Sequence, residues 1–206
     1  MTTEASRHWD GVYGSRVFDQ VSWYQNVPER SLRYIQDAVP NRNAAVIDVG
    51  GGASTLVDHL LDAGFNDVTV VDISDKALQQ ARQRLGDRAD AVNWVVADVR
   101  AFLPERTFSI WHDRAVLHFL VDAEDRARYL EALRRALLPG AKLVLSTFGP
   151  DGPLRCSGLQ IRRYDIEMLM QLLGPYFELQ GHELEDHETP AGAKQQFLYT
   201  SWTRTD

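Results

Sequence analysis

The chain has 206 residues, 44% hydrophobic and 25% charged, enough to bury one well-packed α/β core and rather short for two. Its formal net charge of −7 and sequence pI near 5.3 argue against a bulk binder of nucleic acid or anionic membrane, since neither surface attracts an acidic protein. Cys156 is the single cysteine, which excludes an intrachain disulfide framework and a cysteine-based zinc site. With no apolar signal core at the start and no apolar run near the ~20 residues of a membrane helix, the expected setting is reducing and cytoplasmic.

From Glu4 to Tyr34 the chain is dense in aromatics, with Trp9, Tyr13, Phe18, Trp23, Tyr24 and Tyr34. Ser6, His8, Trp9, Val12 and Tyr13 have helical spacing, Ser22 to Gln25 reads as a loop, and Pro28 opens a helix to about Val39 with Leu32, Ile35 and Val39 on one face. Next comes Ala44 to Thr55, A-A-V-I-D-V-G-G-G-A-S-T. The apolar Ala45, Val46, Ile47 and Val49 stop at Gly50, Gly51 and Gly52, and Ser54 and Thr55 open a helix carrying Leu56, Val57, Leu60 and Leu61. That is strand, tight turn, helix. Without Cβ atoms the glycines can take positive φ and set peptide N–H groups against a ligand at the positive end of a helix, so a polar or anionic ligand is expected there.

Val68 to Asp72 is a second buried-type strand, and the acid at its end can accept two ribose hydroxyls or cap the following helix. Ser74 is suited to that cap; the helix carries Ala77, Leu78, Ala81 and Leu85 and closes at Gly86. Val92 to Val96 makes a third strand ending at Ala97-Asp98-Val99. Phe108 to Trp111 makes a fourth, running into His112-Asp113-Arg114-Ala115-Val116-Leu117-His118-Phe119. Polarity so close to a core is costly unless paired or used, and an Asp113 to Arg114 pair, or Arg114 on a ligand, would satisfy it. Asp122 is expected to cap a helix to Leu138, Pro139-Gly140 to turn the chain, and Lys142 to Phe148 to form the fifth strand. The loop Phe148 to Leu159 brings Arg155, Cys156 and Ser157 over the same place; Cys156 reads more readily as a small buried hydrophobe than as a reactive thiol. A helix over Tyr164 to Leu173 and two antiparallel edge strands, Tyr176 to Leu184 and Gln196 to Trp202, finish the chain, with a polar loop Glu185 to Gln196 between them. Such alternation implies a mostly parallel sheet covered on both faces, with ligands in the crevice between strands one and four.

The dinucleotide pattern G-x-G-x-x-G is broken by Thr55 at its third site. The run Asp48, Val49, Gly50, Gly51, Gly52, Ala53, Ser54 instead resembles motif I of class I S-adenosylmethionine-dependent methyltransferases, with Ser54 in place of the last glycine. The resemblance covers nearly the whole chain. It implies a Rossmann-like α/β fold, one domain over residues 1–206, with a seven-stranded sheet and an antiparallel C-terminal edge. Residues 1–40 would be a helical cover, 41–150 the cofactor core and 151–206 the substrate side. It also implies S-adenosylmethionine held by Asp48, Gly50, Gly51, Gly52, Asp72, Ile73, Asp98 and Val99, with Asp98 on the adenine amino group and Val99 beside the ring. Trp9, Tyr13, Trp23, Tyr24 and Gln25 would belong to the segment that folds over the cofactor, packing of Trp9 onto the sheet edge being the alternative.

For the acceptor, the D-R-A-V-L run of Asp113 to Leu117 is similar to one in thiopurine-type and related small-molecule thiol methyltransferases. This implies a small thiol or hydrosulfide acceptor, with Asp113 and Arg114 to orient and charge-balance the site and His112 or His118 to take the proton or stabilise the thiolate. Trp9, Asp10 and Tyr13 match the W-D-x-x-Y opening of a lysine-directed family, which keeps protein lysine methylation as an alternative, and a cofactor-binding module without turnover is the non-enzyme one. No metal ligand set, nucleic-acid surface or membrane partner is expected.

Overall fold

A computed structural model describes residues 3–15 and 18–205; residues 1, 2, 16, 17 and 206, including those parts of the expected 1–40 cover, lie outside the described residues. Two helices, α1 (Glu4–Ser15) and α2 (Glu29–Ala38), precede the sheet. The chain then alternates β1 (Val46–Val49), α3 (Leu56–Asp62), β2 (Val68–Asp72), α4 (Asp75–Leu85), β3 (Val92–Val96), β4 (Phe108–Arg114), α5 (Ala123–Ala136) and β5 (Leu137–Phe148). A short hairpin β6 (Arg155–Cys156) and β7 (Leu159–Gln160), α6 (Ile166–Leu173), β8 (Phe177–Glu188) and β9 (Lys194–Arg204) complete it.

The described residues form a seven-stranded sheet in the order β3-β2-β1-β4-β5-β9-β8, and β1 to β5 are all parallel. β9 runs antiparallel between β5 and β8, the expected C-terminal edge. Because the chain moves outward from β1 to β3 and then returns to β4 on its other side, the strand order reverses between β1 and β4, opening a crevice at their carboxyl ends. Two apolar layers seal the faces. On one, Trp111, Tyr129, Leu133, Leu169 and Leu173 pack α5 and α6; on the other, Ile35, Leu56, Leu60, Leu78 and Leu85 pack α2, α3 and α4.

Local signals explain most boundaries. The Ser74 hydroxyl accepts the Ala77 N–H and caps α4, and Asp165 caps α6 by accepting from Met168 N–H. Asp122 stands at the cap position of α5, but its side chain accepts no cap bond, contrary to expectation. α5 also stops at Ala136 and β5 already begins at Leu137, running through the Pro139-Gly140 turn that was expected to precede it. The polar stretch Glu185 to Gln196 is mostly strand rather than loop: β8 and β9 stay paired out to Glu188 and Lys194, with the turn at 189–193. No helix of the described residues is long and apolar enough to cross a membrane.

Candidate active site

The glycine turn after β1 closes the crevice from below. Gly50 has φ of 70°, and a Cβ there would sit 2.0 Å from Val116 Cγ2; Gly52 has φ of 45°, and its Cβ would lie 2.9 Å from Asp72 Oδ2 and 3.2 Å from the Tyr13 hydroxyl. Bare backbone here is therefore a steric requirement of the packing against Val116, Asp72 and Tyr13. Gly50→Ala combines strain with collision and is expected to destabilise the fold by about 1–3 kcal/mol. Gly86→Ala, at φ of 58° with no atom within 4 Å, should lose distinctly less. Thermal unfolding of the two variants checks this, and equal midpoints would contradict the collision at Val116.

Asp72 ends β2, where it accepts the Ser74 N–H at 2.7 Å, and burial, reinforced by the nearby Asp48 and Asp10, pushes its carboxyl up to about 7. Asp72 ties down the start of α4 and also lines a cavity of about 200 Å³. Ile73, Asp98 and Val99 line the same cavity. Asp98 is already engaged: Arg100 grips both its oxygens at 2.5–3.0 Å and donates its backbone N–H at 2.9 Å. Burial works to raise the Asp98 carboxyl, but these Arg100 contacts outweigh it and hold it below the usual range.

α1 lies across this end, with Asp10 accepting from the Ser74 hydroxyl at 2.7 Å. Trp9 and Tyr13 point into the cavity, and Trp9 meets Trp23 and Phe119 edge-on at 5.8 and 5.0 Å between centroids. Trp23 also lines a second, smaller cavity beside the glycine turn, together with Tyr24, Gln25, Asp48, Gly50, Gly51 and His112. Tyr13, Gly50 and Arg114 line both, so the two are halves of one continuous cleft. Tyr24 and Gln25 border only the smaller half; the Gln25 carbonyl accepts from Thr55 and its side chain donates to Glu185.

β4 carries the groups expected to handle the acceptor, and the strand runs three residues further than the sequence implied. Residues 112 to 114 therefore alternate across the sheet. His112 and Arg114 face α2 and the N-terminal segment. Asp113 faces α5, fully buried, accepting from Val116 N–H (2.8 Å), Leu117 N–H (3.2 Å) and the Tyr129 hydroxyl (2.7 Å). The expected Asp113 to Arg114 pair does not form, and Asp113 lines neither half of the cleft. Arg114 instead donates Nε to the Tyr199 hydroxyl (2.9 Å) and Nη1 to the Trp23 carbonyl (2.9 Å), while Nη2 is buried with no partner among the described residues.

Both ring nitrogens of His112 and Nδ1 of His118 have partners, which leaves His118 Nε2 as the one histidine ring nitrogen of this pair without one among the described residues. His112 sits between Asp48 (Nδ1, 2.7 Å) and the Ser31 hydroxyl (Nε2, 2.9 Å), and Ser31 continues to Tyr199 at 3.4 Å. Arg114 donates to Tyr199, and both nitrogens of His112 are engaged, Nδ1 with Asp48 and Nε2 with the Ser31 hydroxyl, so neither is free toward the cleft. His118, fully buried, accepts the Phe148 N–H at Nδ1 (3.2 Å) and stacks on the Phe148 ring at 4.4 Å. Burial and then the Arg114 charge push it down to about 3, so it stays neutral with its proton on Nε2, an atom with no partner among the described residues. His118 lines the larger half of the cleft, as do Phe148, Phe197, Phe119 and Cys156; Arg155 does not. Burial raises the Cys156 thiol, which keeps it protonated, in line with the packing reading.

Ser31, Tyr199, Phe119 and Phe197 were not singled out in the sequence. Only the β5 to β9 register, which sets Phe148 opposite Phe197 and Ser146 opposite Tyr199, brings the last two to this site.

Residues 46–140 match the methyltransferase-domain family model, from β1 through the turn at Gly140. They form a class I methyltransferase domain. The domain is similar to the mouse eEF1A lysine and N-terminal methyltransferase, 26% identical over 145 residues that cover 66% of this chain and 20% of that protein. Nodulation protein S of Sinorhizobium fredii is 27% identical over 129 residues, 63% of this chain and 58% of its own. Among solved structures, the 1,6-didemethyltoxoflavin-N1-methyltransferase of Burkholderia thailandensis superposes with a TM-score of 0.73 at 23% identity, covering 100% of this chain and 91% of that one. The chain spans between a fifth and about three-fifths of the length of the curated relatives it matches.

Proposed function

We propose that the methyltransferase domain uses S-adenosylmethionine to methylate a small nucleophile that enters already ionised, most simply a thiol. The cofactor half rests on the glycine turn, of which Gly50 and Gly51 line the cleft, and on the buried Asp72 beside it, suited to a ribose diol. Asp98 and Val99 are proposed for the adenine. α1 and the Trp9, Tyr13 and Trp23 rings are proposed as the cover that excludes water. When bound, the cofactor supplies a sulfonium methyl whose C–S bond breaks as the acceptor's lone pair forms the new one, leaving a neutral thioether. The domain's own residues then have to orient the acceptor, keep it dry and favour its anion.

One observation supports the choice of acceptor: Arg114 and His118 line the larger cavity on the β4 and β5 side, Arg114 Nη2 and His118 Nε2 are buried without a partner among the described residues, and His118 Nδ1 is taken by the Phe148 N–H. A thiol, ionising near pH 8.5, loses its proton to water without an enzyme base. An amine arrives as a cation, which Arg114 repels, and the carboxylates lining the larger cavity, Asp72 and Asp98, stand at the β2 and β3 ends. Protein lysine methylation remains the second reading on the strength of the mouse relative's name. Incubation with methyl-labelled cofactor and a panel of thiols, amines, phenols and cell lysate separates the two. Label should pass to thiols at a rate rising with pH as the thiol ionises. Label on a protein lysine with none on any thiol would overturn the proposal.

A further inference from the structure

Just beyond β3, Asp98 is the acid expected on the adenine amino group, yet each of its oxygens is already met twice by Arg100. Oδ1 accepts the backbone N–H at 2.9 Å and Nε–H at 2.9 Å, while Oδ2 accepts Nε–H at 3.0 Å and an Nη2–H at 2.5 Å. A carboxylate has about four lone-pair sites, and these contacts occupy them. Arg100 is held from a second side as well, since Nη1 donates at 3.0 Å to Asp125 in the first turn of α5. Two carboxylates on two elements thus fix the plane of a rigid fork. That arrangement uses one N–H on each guanidinium nitrogen, and the second N–H of Nη1 and of Nη2 has no partner among the described residues. Both are within reach of a ligand, because the Arg100 side chain is 29% exposed and lines the larger cavity with Ala97, Asp98 and Val99.

Resting on the reading of this cleft as the S-adenosylmethionine site, we infer that Asp98 serves the adenine through Arg100: the spare guanidinium N–H groups meet the edge of the base, and Asp98 and Asp125 are the positioning residues that hold them there. A purine edge carries ring nitrogens that accept from such donors whatever group stands at carbon 6. A bare carboxylate would behave otherwise, accepting from a 6-amino group and repelling a 6-oxo group. With Asp98 filled by Arg100 that repulsive element is muted, and specificity needs one. The site therefore reads the purine ring and not its 6-substituent.

The test is titration calorimetry on the full chain with S-adenosylhomocysteine and with S-inosylhomocysteine, in which an oxo group replaces the 6-amino group. The natural chain should bind the two within fivefold of each other. Arg100→Met removes the N–H groups and bares Asp98, so the preference for the amino ligand should grow at least tenfold. Asp98→Ala releases Arg100 and should weaken both ligands by the same factor, whereas an Asp98 that touched the amino group would weaken only one. Thermal midpoints show that the variants fold, and Arg100→Gln stands in should Arg100→Met fail to. A preference of fivefold or more in the natural chain, a smaller change in the folded Arg100 variant, or a loss confined to the amino ligand in Asp98→Ala would overturn the inference while leaving the cofactor site intact. Absence of S-adenosylhomocysteine binding in the natural chain would overturn the proposed function and this inference with it.

Discussion

Asp72→Ala is expected to weaken S-adenosylmethionine binding by about 1–3 kcal/mol, roughly 5- to 150-fold in Kd, because two ribose hydroxyls would be left facing a methyl group. The natural chain should also show a pH dependence that Asp72→Asn lacks. The Asp72 carboxyl is pushed up to about 7 by burial first, against the Ser74 N–H that lowers it, with Asp48 and Asp10 adding repulsion from β1 and α1. A diol donates to the ionised form, so ligand binding favours loss of the proton. Affinity should rise as pH passes upward through about 7 and fall by up to about tenfold per pH unit below it. For the free protein the sign is opposite. Its native carboxyl holds a proton that the unfolded chain has lost, so stability from this group is present below about pH 4 and declines as pH rises toward 7. Titration calorimetry at pH 6 and 8 measures the first effect; flat affinity, or an Asp72→Ala protein that binds as before, would remove Asp72 from the site.

The glycine turn and the acid that ends the second strand were legible because their signals are local. A β-branched run, three glycines and a helix start form one contiguous signal, and Asp72 is read from the end of the next strand. The arrangement around the end of β4 was not, for two physical reasons. Ending the fourth strand at Trp111 made His112, Asp113 and Arg114 look like one polar cluster, whereas extended backbone through Arg114 sends Asp113 to the α5 face and its neighbours to the other. The partners that decide what the histidines can do also lie far off in sequence: Ser31 on α2, Tyr199 on β9, and the N–H of Phe148 at the end of β5. The Glu185 to Gln196 stretch was missed for a different reason. β8 is an edge strand whose side chains are exposed or half-buried over most of its length, so the hydrophobic alternation that marks a strand is absent. That hairpin end still matters here, since His187 hydrogen-bonds the Ser22 carbonyl at 2.8 Å and ties the sheet edge to the segment carrying Trp23.

Asp113→Ala should be the most damaging single change in β4, and it should act through the fold. Removing the carboxylate strands the Val116 and Leu117 N–H groups and the Tyr129 hydroxyl in a fully buried place, at a cost of about 2–5 kcal/mol. For a chain of this length that lowers the thermal midpoint by roughly 5–15 °C. Asp113→Asn keeps one oxygen to accept and should lose less. Its loss should also depend on pH, because burial pushes the Asp113 carboxyl up to about 6, against the bonds from Tyr129 and Val116. Between about pH 4 and 6 the native state holds a proton that the unfolded chain gives up, so the natural protein's stability from this group falls as pH rises across that window. The neutral amide does not share that fall, and the gap between natural and Asn proteins should be smaller at pH 7 than at pH 5. His118, pushed down to about 3, has the opposite sign: its contribution is present above about 6.5 and is lost as pH falls toward 3. Unfolding midpoints of natural, His118→Phe and Asp113→Asn proteins across pH 4 to 8 separate the two slopes. Meanwhile the pH profile of methyl transfer by folded Asp113→Asn should stay where the acceptor thiol's own ionisation puts it, because Asp113 does not border the cleft. A profile shifted by a full pH unit, with the midpoint unchanged, would return Asp113 to the chemistry and take it out of the scaffold.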